Sequence, residues 1–284
     1  MNNMKLRNIL VAALCLFATM ANAQEELVII STNDTHSTIV PLSSNLEDTL
    51  KAGRGGYIRR IALLEEQRSL HPDLLLFDSG DFSQGSPYYT LFKGEVEMKL
   101  MNMMKYDAVG IGNHEFDFGL DNIARLVKMS DFPWVCANLN FTGTVLEGLI
   151  QPYTVIERGD VKIGVFGLTP QLEGLVAAEN IGRVVYNDPI ESAINVVGQL
   201  RETERCDVVV CLSHLGWDMA PMVDDSTLVA KTTGIDIVLG AHSHDYFIDL
   251  QYVKNAEGKE VPVDQNGKHG IYIGKTTLAI QNRK

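Results

Sequence analysis

The sequence predicts a single α/β domain, and three observations support that prediction. Short apolar runs of four to six residues recur along the chain, as expected for strands buried on both faces. Segments with helical spacing of apolar residues lie between them. Five of the apolar runs end in clusters of polar residues, at the strand ends where such sheets bind ligands. Strand–helix alternation of this kind predicts sheets covered by helices.

Each predicted strand leads directly into polar residues that can bind metal ions or exchange protons. The strands and their polar ends are Leu27 to Thr32 before Asn33-Asp34-Thr35-His36, Leu74 to Phe77 before Asp78-Ser79-Gly80-Asp81, Ala108 to Ile111 before Gly112-Asn113-His114-Glu115, Val208 to Leu212 before Ser213-His214, and Ile235 to Leu239 before Gly240-Ala241-His242-Ser243-His244. Because ligands bind beyond the carboxyl ends of strands in α/β sheets, these five ends are the candidate site.

Three helices are predicted between the strands. The first two cover Tyr57 to Leu70 and Glu95 to Lys105. A third begins at Asp188-Pro189-Ile190-Glu191, which supplies an N-cap, a proline at N1 and a glutamate at N3, and it runs toward Thr203. The segment Gly53-Arg54-Gly55-Gly56 precedes the first helix. We interpret it as a tight turn into the helix rather than as a phosphate cradle.

Residues 1–23 have the features of a secretory signal. Two basic residues precede the apolar run Ile9 to Met20, which ends at Ala21-Asn22-Ala23 and predicts cleavage before Gln24. The run is shorter than the about 20 residues that span a bilayer. The alternative, a buried N-terminal helix, would alternate apolar and polar faces. We therefore expect residues 24–284 to be one domain, secreted across the inner membrane into the periplasm, with no membrane span.

The overall charge excludes one class of partner. The formal net charge is -12 at pH 7, from 24 basic and 36 acidic residues. So acidic a surface repels nucleic acid polymers and anionic lipids. Any phosphate group that the protein handles must therefore be attracted by a local positive charge.

The cysteines are predicted to be buried free thiols. Beyond the signal they are Cys136, Cys206 and Cys211, and each lies in an apolar run. An odd number of cysteines does not suggest a disulfide framework. A Cys206–Cys211 disulfide is the alternative.

The positions of the histidines indicate a metal site. Five of the seven (His36, His114, His214, His242 and His244) stand just after predicted strands, and His71 and His269 do not. One such histidine is commonly structural, but five together favour a functional site. Asp34 and His36 are two residues apart, so in an extended chain both side chains leave on the same side, and His242 and His244 repeat this spacing. Imidazole, carboxylate and amide ligands suit Mn, Zn, Co or Fe, and the lack of accompanying cysteines argues against a structural thiolate zinc site.

Five motifs follow one another along the chain: Asn33-Asp34-Thr35-His36, Gly80-Asp81, Gly112-Asn113-His114-Glu115-Phe116-Asp117, Ser213-His214-Leu215-Gly216 and Gly240-Ala241-His242-Ser243-His244. In sequence and in order they resemble the motifs of the metallophosphatase (calcineurin-like) domain of the 5'-nucleotidase and UDP-sugar hydrolase family. The resemblance covers nearly the whole chain after the signal. It implies a four-layer αββα sandwich in a single domain.

The resemblance also implies a set of ligands for two divalent metal ions. One ion would be held by Asp34, His36, Asp81 and His244, and the other by Asp81, Asn113, His214 and His242, with Asp81 bridging. His114 and Asp117 resemble the family's catalytic pair. Two positions depart from the family pattern. Ser37 replaces a common glycine, and His244 stands where other members have Gln or Asn, although histidine is a competent ligand.

The function implied by the resemblance is two-metal hydrolysis of a small phosphate ester, with nucleotides as the leading substrates. A 5'-nucleotidase-like phosphomonoesterase of nucleotide catabolism is the first hypothesis. The alternatives are a cyclic-nucleotide or UDP-sugar phosphodiesterase and, from another class, a non-catalytic metal- or phosphate-binding module.

Substrate selectivity is expected to depend on a second domain. The chain stops soon after the last metal motif, so we expect the family's C-terminal substrate domain to be absent from it and to be encoded separately. Tyr88 and Tyr89 are interpreted as packing residues rather than as the wall of a substrate groove. Without an evident base-stacking platform, the chain alone is expected to discriminate weakly among phosphate esters.

Overall fold

The computed structural model describes residues 25–280, and the secretory signal predicted at residues 1–23 lies outside this range. Within residues 25–280, none of the helices has the length and apolar character needed to cross a lipid bilayer. The described residues form two main β-sheets with helices packed against them.

The two main sheets contain parallel central strands. In chain order the strands are β1 (Glu25–Thr32), β2 (Leu75–Asp78), β3 (Ala108–Val109), β4 (Leu139–Asn140), β5 (Tyr153–Arg158), β6 (Val161–Leu168), β7 (Val185–Tyr186), β8 (Val208–Ser213), β9 (Ile237–Leu239), β10 (Gln251–Lys254), β11 (Glu260–Asp264) and β12 (Gly274–Ile280). The first sheet has the order β12-β1-β2-β3, the second has the order β10-β11-β9-β8-β6-β5, and β4 pairs with β7. Strands β1 to β3 run parallel, as do β6, β8, β9 and β11, whereas β5, β10 and β12 are antiparallel edge strands.

The helices connect these strands and cover the outer faces of the sheets. They are α1 (Tyr57–Leu70), α2 (Pro87–Phe92), α3 (Glu95–Met104), α4 (Gly119–Met129), α5 (Ala178–Ile181), α6 (Pro189–Gly198) and α7 (Asp225–Lys231), with a 3₁₀ helix at His114–Phe118 and a π-helical turn at Gln199–Thr203 that continues α6. All three predicted helices are present. The Asp188 carboxylate accepts hydrogen bonds from the amides of Ile190 and Glu191, which confirms the predicted N-cap of α6.

The side chains of β1 show how the four layers are built. Leu27 and Ile29 face the second sheet and pack in one core with its residues Ile163 and Val210. The alternate side chains of β1 face the opposite way, into a core shared with α1, α3 and α4. A third core lies between the second sheet and helices α6 and α7. The order of layers is therefore helix, sheet, sheet, helix, and the expected αββα architecture is confirmed.

The structure contains strands that the sequence pattern did not indicate. Strands β5, β6, β10, β11 and β12 complete the two sheets, and β3 ends at Val109 rather than at Ile111. Along β10, half-buried and exposed residues alternate, so this strand lacks the continuous apolar run that marks a buried strand. Beyond Val109, the Gly110 amide still donates to the carbonyl of Asp78, but the chain then turns into the 3₁₀ helix.

The cysteines and the glycine-rich segment agree with the interpretations favoured above. Cys136, Cys206 and Cys211 are all buried free thiols, so the alternative Cys206–Cys211 disulfide is wrong.

A β-carbon on Gly55 would lie 2.8 Å from the carbonyl oxygen of His269, and one on Gly56 would lie 2.9 Å from the ring of Pro41. The two glycines therefore permit close backbone packing where the chain turns into α1.

Candidate metal centre

The predicted ligands converge because the carboxyl ends of the parallel strands lie at one edge of the two sheets. Asp34 and His36 follow β1, Asp81 follows β2, Asn113 follows β3, His214 follows β8, and His242 and His244 follow β9. The Asp34 amide donates to the Gly80 carbonyl, which joins the first two loops. The His242 amide donates to Asp34 Oδ2 at 2.9 Å, which joins the two sheets at the site.

The first cluster contains Asp34, His36 and His244, whose ligand atoms lie within 4.8 Å of one another. The Nε2 atoms of His36 and His244 are 3.0 Å apart. His244 Nε2 lies 3.4 Å from Asp34 Oδ1, and His36 Nε2 lies 3.8 Å from the same oxygen. Two imidazoles and a carboxylate that face one point form a set of donors suited to a divalent cation.

The second cluster contains Asp81, His214 and His242. His214 Nδ1 lies 2.8 Å from the carbonyl oxygen of Ser79, so Nδ1 carries the proton and Nε2 has the lone pair in the neutral ring. That Nε2 lies 3.1 Å from Asp81 Oδ2 without the geometry of a hydrogen bond. A lone pair and a carboxylate oxygen this close require a cation or a proton between them. Asp81 also forms a third group with His36 and His114, so it lies between the two clusters.

Three buried ligand atoms are unpaired within residues 25–280. Asp34 Oδ1, Asn113 Oδ1 and His214 Nε2 have no hydrogen-bond partner in that range. Asp34 and His214 are fully buried, and Asn113 is 4% exposed. Because leaving a buried polar atom unpaired is costly, such atoms are rare in folded proteins. These atoms belong to three of the seven predicted ligands, and bound cations would satisfy all of them.

The electrostatics of the clusters keep His36 and His242 neutral and favour positive charge between Asp34 and Asp81. Burial lowers the pKa of His36 and, together with the nearby His214, lowers the pKa of His242 to about 4. Burial also opposes the protonation of His214, but the carboxylates of Asp81 and Asp34 outweigh it and raise the pKa of His214 to about 10. The space between these two carboxylates therefore attracts positive charge, which a divalent cation can supply.

The backbone at the site adopts an unusual conformation. Five of the predicted ligands have positive φ angles: Asp34 (46°), His36 (41°), Asp81 (56°), His242 (71°) and His244 (62°). For residues other than glycine this region costs about 1–2 kcal/mol each, and such strain is concentrated at functional sites. The sequence predicted that an extended chain would place the Asp34 and His36 side chains on the same side. That prediction is wrong, because neither residue has an extended backbone. Left-handed turns, held by hydrogen bonds to the Gly80 and Asp81 carbonyls, make the two side chains converge.

His114 and Asp117 are in contact beside the first cluster. The 3₁₀ helix has three residues per turn, so it places the two side chains on one face. His114 Nδ1 lies 3.1 Å from Asp117 Oδ2, and the His114 ring centroid lies 5.5 Å from that of His36. Burial opposes protonation of His114, but the Asp117 and Asp81 carboxylates outweigh it and raise its pKa. The pair can therefore hold a proton next to the predicted metal ligands.

Glu115 is a buried residue of the site to which the sequence assigned no role. Its carboxylate accepts hydrogen bonds from the amides of Asp81 (2.9 Å), Gly112 (2.7 Å) and Ser83 (3.2 Å). It thereby joins the loop after β2 to the loop after β3. The Gly-Asn-His-Glu motif contained this residue, but sequence alone does not show which amides a buried carboxylate binds.

His269 was predicted to lie outside the histidine group, and the structure places it beside the group. Its ring centroid is 5.9 Å from that of His36, and its Nδ1 lies 3.1 Å from Thr38 Oγ1. The loop that carries His269 follows β11, which is parallel to β9 and ends at the same edge. The position of His269 beside the group was not predicted, because β11 was not predicted as a strand.

Gly112 allows the close approach of the two sheets at the site. A β-carbon at Gly112 would lie 2.2 Å from Asp81 Oδ1 and 2.7 Å from His214 Cε1. We expect Gly112→Ala to displace both side chains and to weaken metal binding by about 10- to 100-fold, as changes to groups that orient ligands commonly do.

The matched control for this change is Gly198→Ala. Gly198 is helical, with φ -55°, and an added β-carbon there meets nothing within 4 Å. We expect this variant to keep its metal affinity and to gain about 0.4–1 kcal/mol in unfolding free energy. Titration calorimetry with Mn²⁺ and thermal unfolding measure the two effects, and unchanged metal affinity in Gly112→Ala would contradict the assignment.

Comparison with known proteins identifies the family. The sequence model of the calcineurin-like phosphoesterase family matches residues 27–246. Human 5'-nucleotidase is 32% identical over 254 residues, which are 87% of this chain and 42% of the relative. The chain thus spans about half the length, or less, of the curated relatives that it matches first.

Comparison with solved structures supports the same family. The 5'-nucleotidase precursor from Thermus thermophilus superposes with a TM-score of 0.80 at 32% identity, over 89% of this chain and 51% of that chain. The calcineurin-like phosphoesterase YfkN from Bacillus subtilis has a TM-score of 0.76 at 28% identity, over 92% of this chain and 86% of that chain. Together with the match of the family model over residues 27–246 and the αββα layers, these similarities show that the chain belongs to the calcineurin-like phosphoesterase family.

Proposed function

We propose that the chain is a two-metal phosphoester hydrolase that acts on nucleotides as a 5'-nucleotidase-like phosphomonoesterase. The observation that carries the proposal is the set of unpaired buried ligand atoms on Asp34, Asn113 and His214, next to the His114–Asp117 pair. The names of the human and Thermus relatives support nucleotides as substrates.

The residues present fit two divalent cations. Asp34, His36, Asp81 and His244 would hold one, and Asp81, Asn113, His214 and His242 would hold the other. Cations bound there would lower the pKa of water and neutralise charge on the phosphoryl oxygens. Mn, Zn, Co and Fe all suit these ligand types.

The charges of the ligands explain how an acidic protein attracts an anionic substrate. Asp34 and Asp81 are the only carboxylates among the proposed ligands, and neutral imidazoles and an amide supply the rest. Two divalent cations therefore leave the loaded centre positive by about two charges. The negative charges elsewhere on the surface are screened over about 8 Å at physiological salt, so the local field dominates near the site.

His114 is placed to assist departure of the leaving group. Its Nδ1 contacts Asp117, so its Nε2 is available to a substrate. With a raised pKa, the imidazolium can stabilise the transferring phosphoryl group or donate a proton to the departing alkoxide. Asp117 orients the ring and favours its charged form.

Metal analysis combined with a panel of phosphate esters tests the proposal. We expect about two metal ions per chain, turnover of AMP, and loss of turnover on chelation. At a free metal concentration of about 100 times Kd, each site should stabilise the fold by about 2.7 kcal/mol, so chelation should also lower Tm.

Three outcomes distinguish the alternatives. Faster hydrolysis of a cyclic nucleotide or UDP-glucose than of AMP would replace the phosphomonoesterase with a phosphodiesterase. Two bound metals with no turnover of any ester would favour the non-catalytic binding module. Full activity after complete removal of metal would contradict the two-metal mechanism.

Export and domain organisation complete the proposal. Secretion to the periplasm depends on residues 1–23, and N-terminal sequencing of the exported chain, expected to start at Gln24, tests it. The curated relatives are about twice as long as the part that this chain matches, which supports a C-terminal substrate domain as a partner of residues 24–284. Co-purification from the native source would detect such a partner.

A further inference from the structure

A cavity of about 430 Å³ lies beside the start of α1. None of the seven predicted metal ligands is in its wall, and the mechanism above gives it no role. The side chains that give the cavity its character are those of Arg54, Arg59, Arg60, Leu63 and Tyr272. Its volume lies within the range of about 300–1,000 Å³ that is typical of small-molecule sites.

The charged residues in the wall of this cavity are all basic. Three arginines line it, and the lining residues within 25–280 include no aspartate or glutamate. The arginines that form ion pairs in that range are others, namely Arg125, Arg158 and Arg201. The start of α1, a helix of 14 residues without an acidic residue in its first turn, adds to the positive potential. In a chain with a net charge of -12, this cavity therefore attracts anions locally.

Arg60 is a buried cation with few partners. It is 2% exposed, and its Nε and Nη1 atoms have no hydrogen-bond partner among residues 25–280. Its Nη2 donates to the Thr38 carbonyl at 3.5 Å, and the guanidinium lies 3.8 Å over the Tyr57 ring. Because a guanidinium stays charged, burying it without an opposite charge is strongly unfavourable. An anion in the adjacent cavity would supply that charge.

The three guanidinium groups are held at the same cavity. A β-carbon on Gly270, which also lines the cavity, would lie 3.0 Å from Arg60 Cζ and 3.1 Å from its Nε. Gly270 therefore allows the Arg60 guanidinium to lie at the wall, and a larger residue would displace it. Arg59 Nη1 donates to the Gly53 carbonyl, in the turn that also carries Arg54.

The rest of the wall indicates what else the ligand contains. Leu63 and Tyr272 give it an apolar side, and Tyr272 is held by stacking on Tyr246 with centroids 3.7 Å apart at 13°. A free phosphate ion would fill only a small part of the cavity. A phosphate group satisfies more guanidinium donors than a carboxylate does, because it has more oxygens and more charge.

We propose that this cavity is a second, non-catalytic site that binds a small organic phosphate. The phosphate contacts the three arginines, and the apolar part of the ligand contacts Leu63 and Tyr272. The site does not depend on the proposed hydrolase, since its residues are not among the predicted metal ligands. The glycines of the turn keep the packing role described above, and side chains rather than a backbone cradle bind the anion.

Arg54→Gln combined with Arg59→Gln in the metal-loaded full chain tests the site. The probe is phenylphosphonate, which has a dianionic head on an aromatic ring and no ester bond to hydrolyse. Loss of one hydrogen bond to a charged group commonly weakens binding about 10- to 100-fold. We therefore expect titration calorimetry to show about one bound phenylphosphonate fewer per chain in the double variant. Arg60→Lys should weaken the same binding event, because lysine lacks the planar fork.

The matched control is Arg183→Gln combined with Arg205→Gln. Both are exposed arginines outside this cavity, and Arg183 lines another one whose wall also contains Asp121 and Glu179. The control changes the net charge equally and should keep the number of bound probes. Because the readout is a difference, it holds whether or not the metal centre also binds phosphonate. An unchanged number in the cavity variant, or an equal loss in the control, would overturn the site.

Leu63→Ala tests the apolar part of the ligand. We expect it to weaken phenylphosphonate at this site about threefold and to leave the affinity for inorganic phosphate unchanged. Leu70→Ala is its control, because Leu70 is an exposed leucine of the same helix that lines a different cavity. Equal affinity for phenylphosphonate in Leu63→Ala and Leu70→Ala would show that the site binds the anion alone and would overturn the assignment of an organic phosphate.

Discussion

Asp81→Ala should lower bound metal from about two ions per chain to fewer than one and abolish turnover. Asp81 and His36 each belong to two of the three clusters, whereas Asp34, His214, His242 and His244 each belong to one. Asp81 Oδ2 lies 3.1 Å from His214 Nε2, and Asp81 Oδ1 accepts a hydrogen bond from the His114 amide at 2.9 Å. Loss of this carboxylate therefore disturbs both proposed metal positions and the start of the 3₁₀ helix.

Elemental analysis and the thermal response to metal measure this effect. The unmodified chain should gain Tm when Mn²⁺ is added, whereas Asp81→Ala should respond weakly or not at all. Asp73→Ala is the matched control, because Asp73 is an exposed aspartate before β2, away from the ligand edge. Retention of both metals and near-normal turnover in Asp81→Ala would show that Asp81 does not bridge.

His114→Asn should lower kcat for AMP by about 10²–10⁴-fold, because AMP has a poor alkoxide leaving group that needs a proton. The same change should cost less with p-nitrophenyl phosphate, whose leaving group is stable without protonation. The structural basis is the contact between His114 Nδ1 and Asp117, which holds the imidazole in place and raises its pKa. Steady-state kinetics on both substrates measure the difference.

Two further variants define the role of His114. His71→Asn is a matched control, since His71 follows α1 and contacts Lys275 rather than the ligand clusters, and it should keep normal kinetics. Asp117→Asn should produce a smaller loss than His114→Asn, because it leaves the imidazole but removes the carboxylate that orients it. Equal losses on AMP and the aryl ester in His114→Asn would argue against proton donation and leave only positioning or charge stabilisation.

Much of the site could be predicted because its signals are local. Each predicted ligand follows an apolar strand, and the apolar runs and the order of the motifs can be read from the sequence. The helices α1, α3 and α6 were also predictable from spacing and capping residues. The same reasoning missed β10 and β11, which have no continuous apolar run, and with them it missed the approach of His269 to His36.

The sequence by itself determined the fold class, the residue types at the strand ends and the family to which those motifs point. Only the tertiary structure decided which side chains meet. It brings Asp34 of one sheet to His214 and His244 of the other. The reason is physical. Periodicity and capping depend on neighbours within a few residues. The convergence of ligands depends instead on how two sheets pack and on left-handed turns held by hydrogen bonds between loops that are distant in sequence.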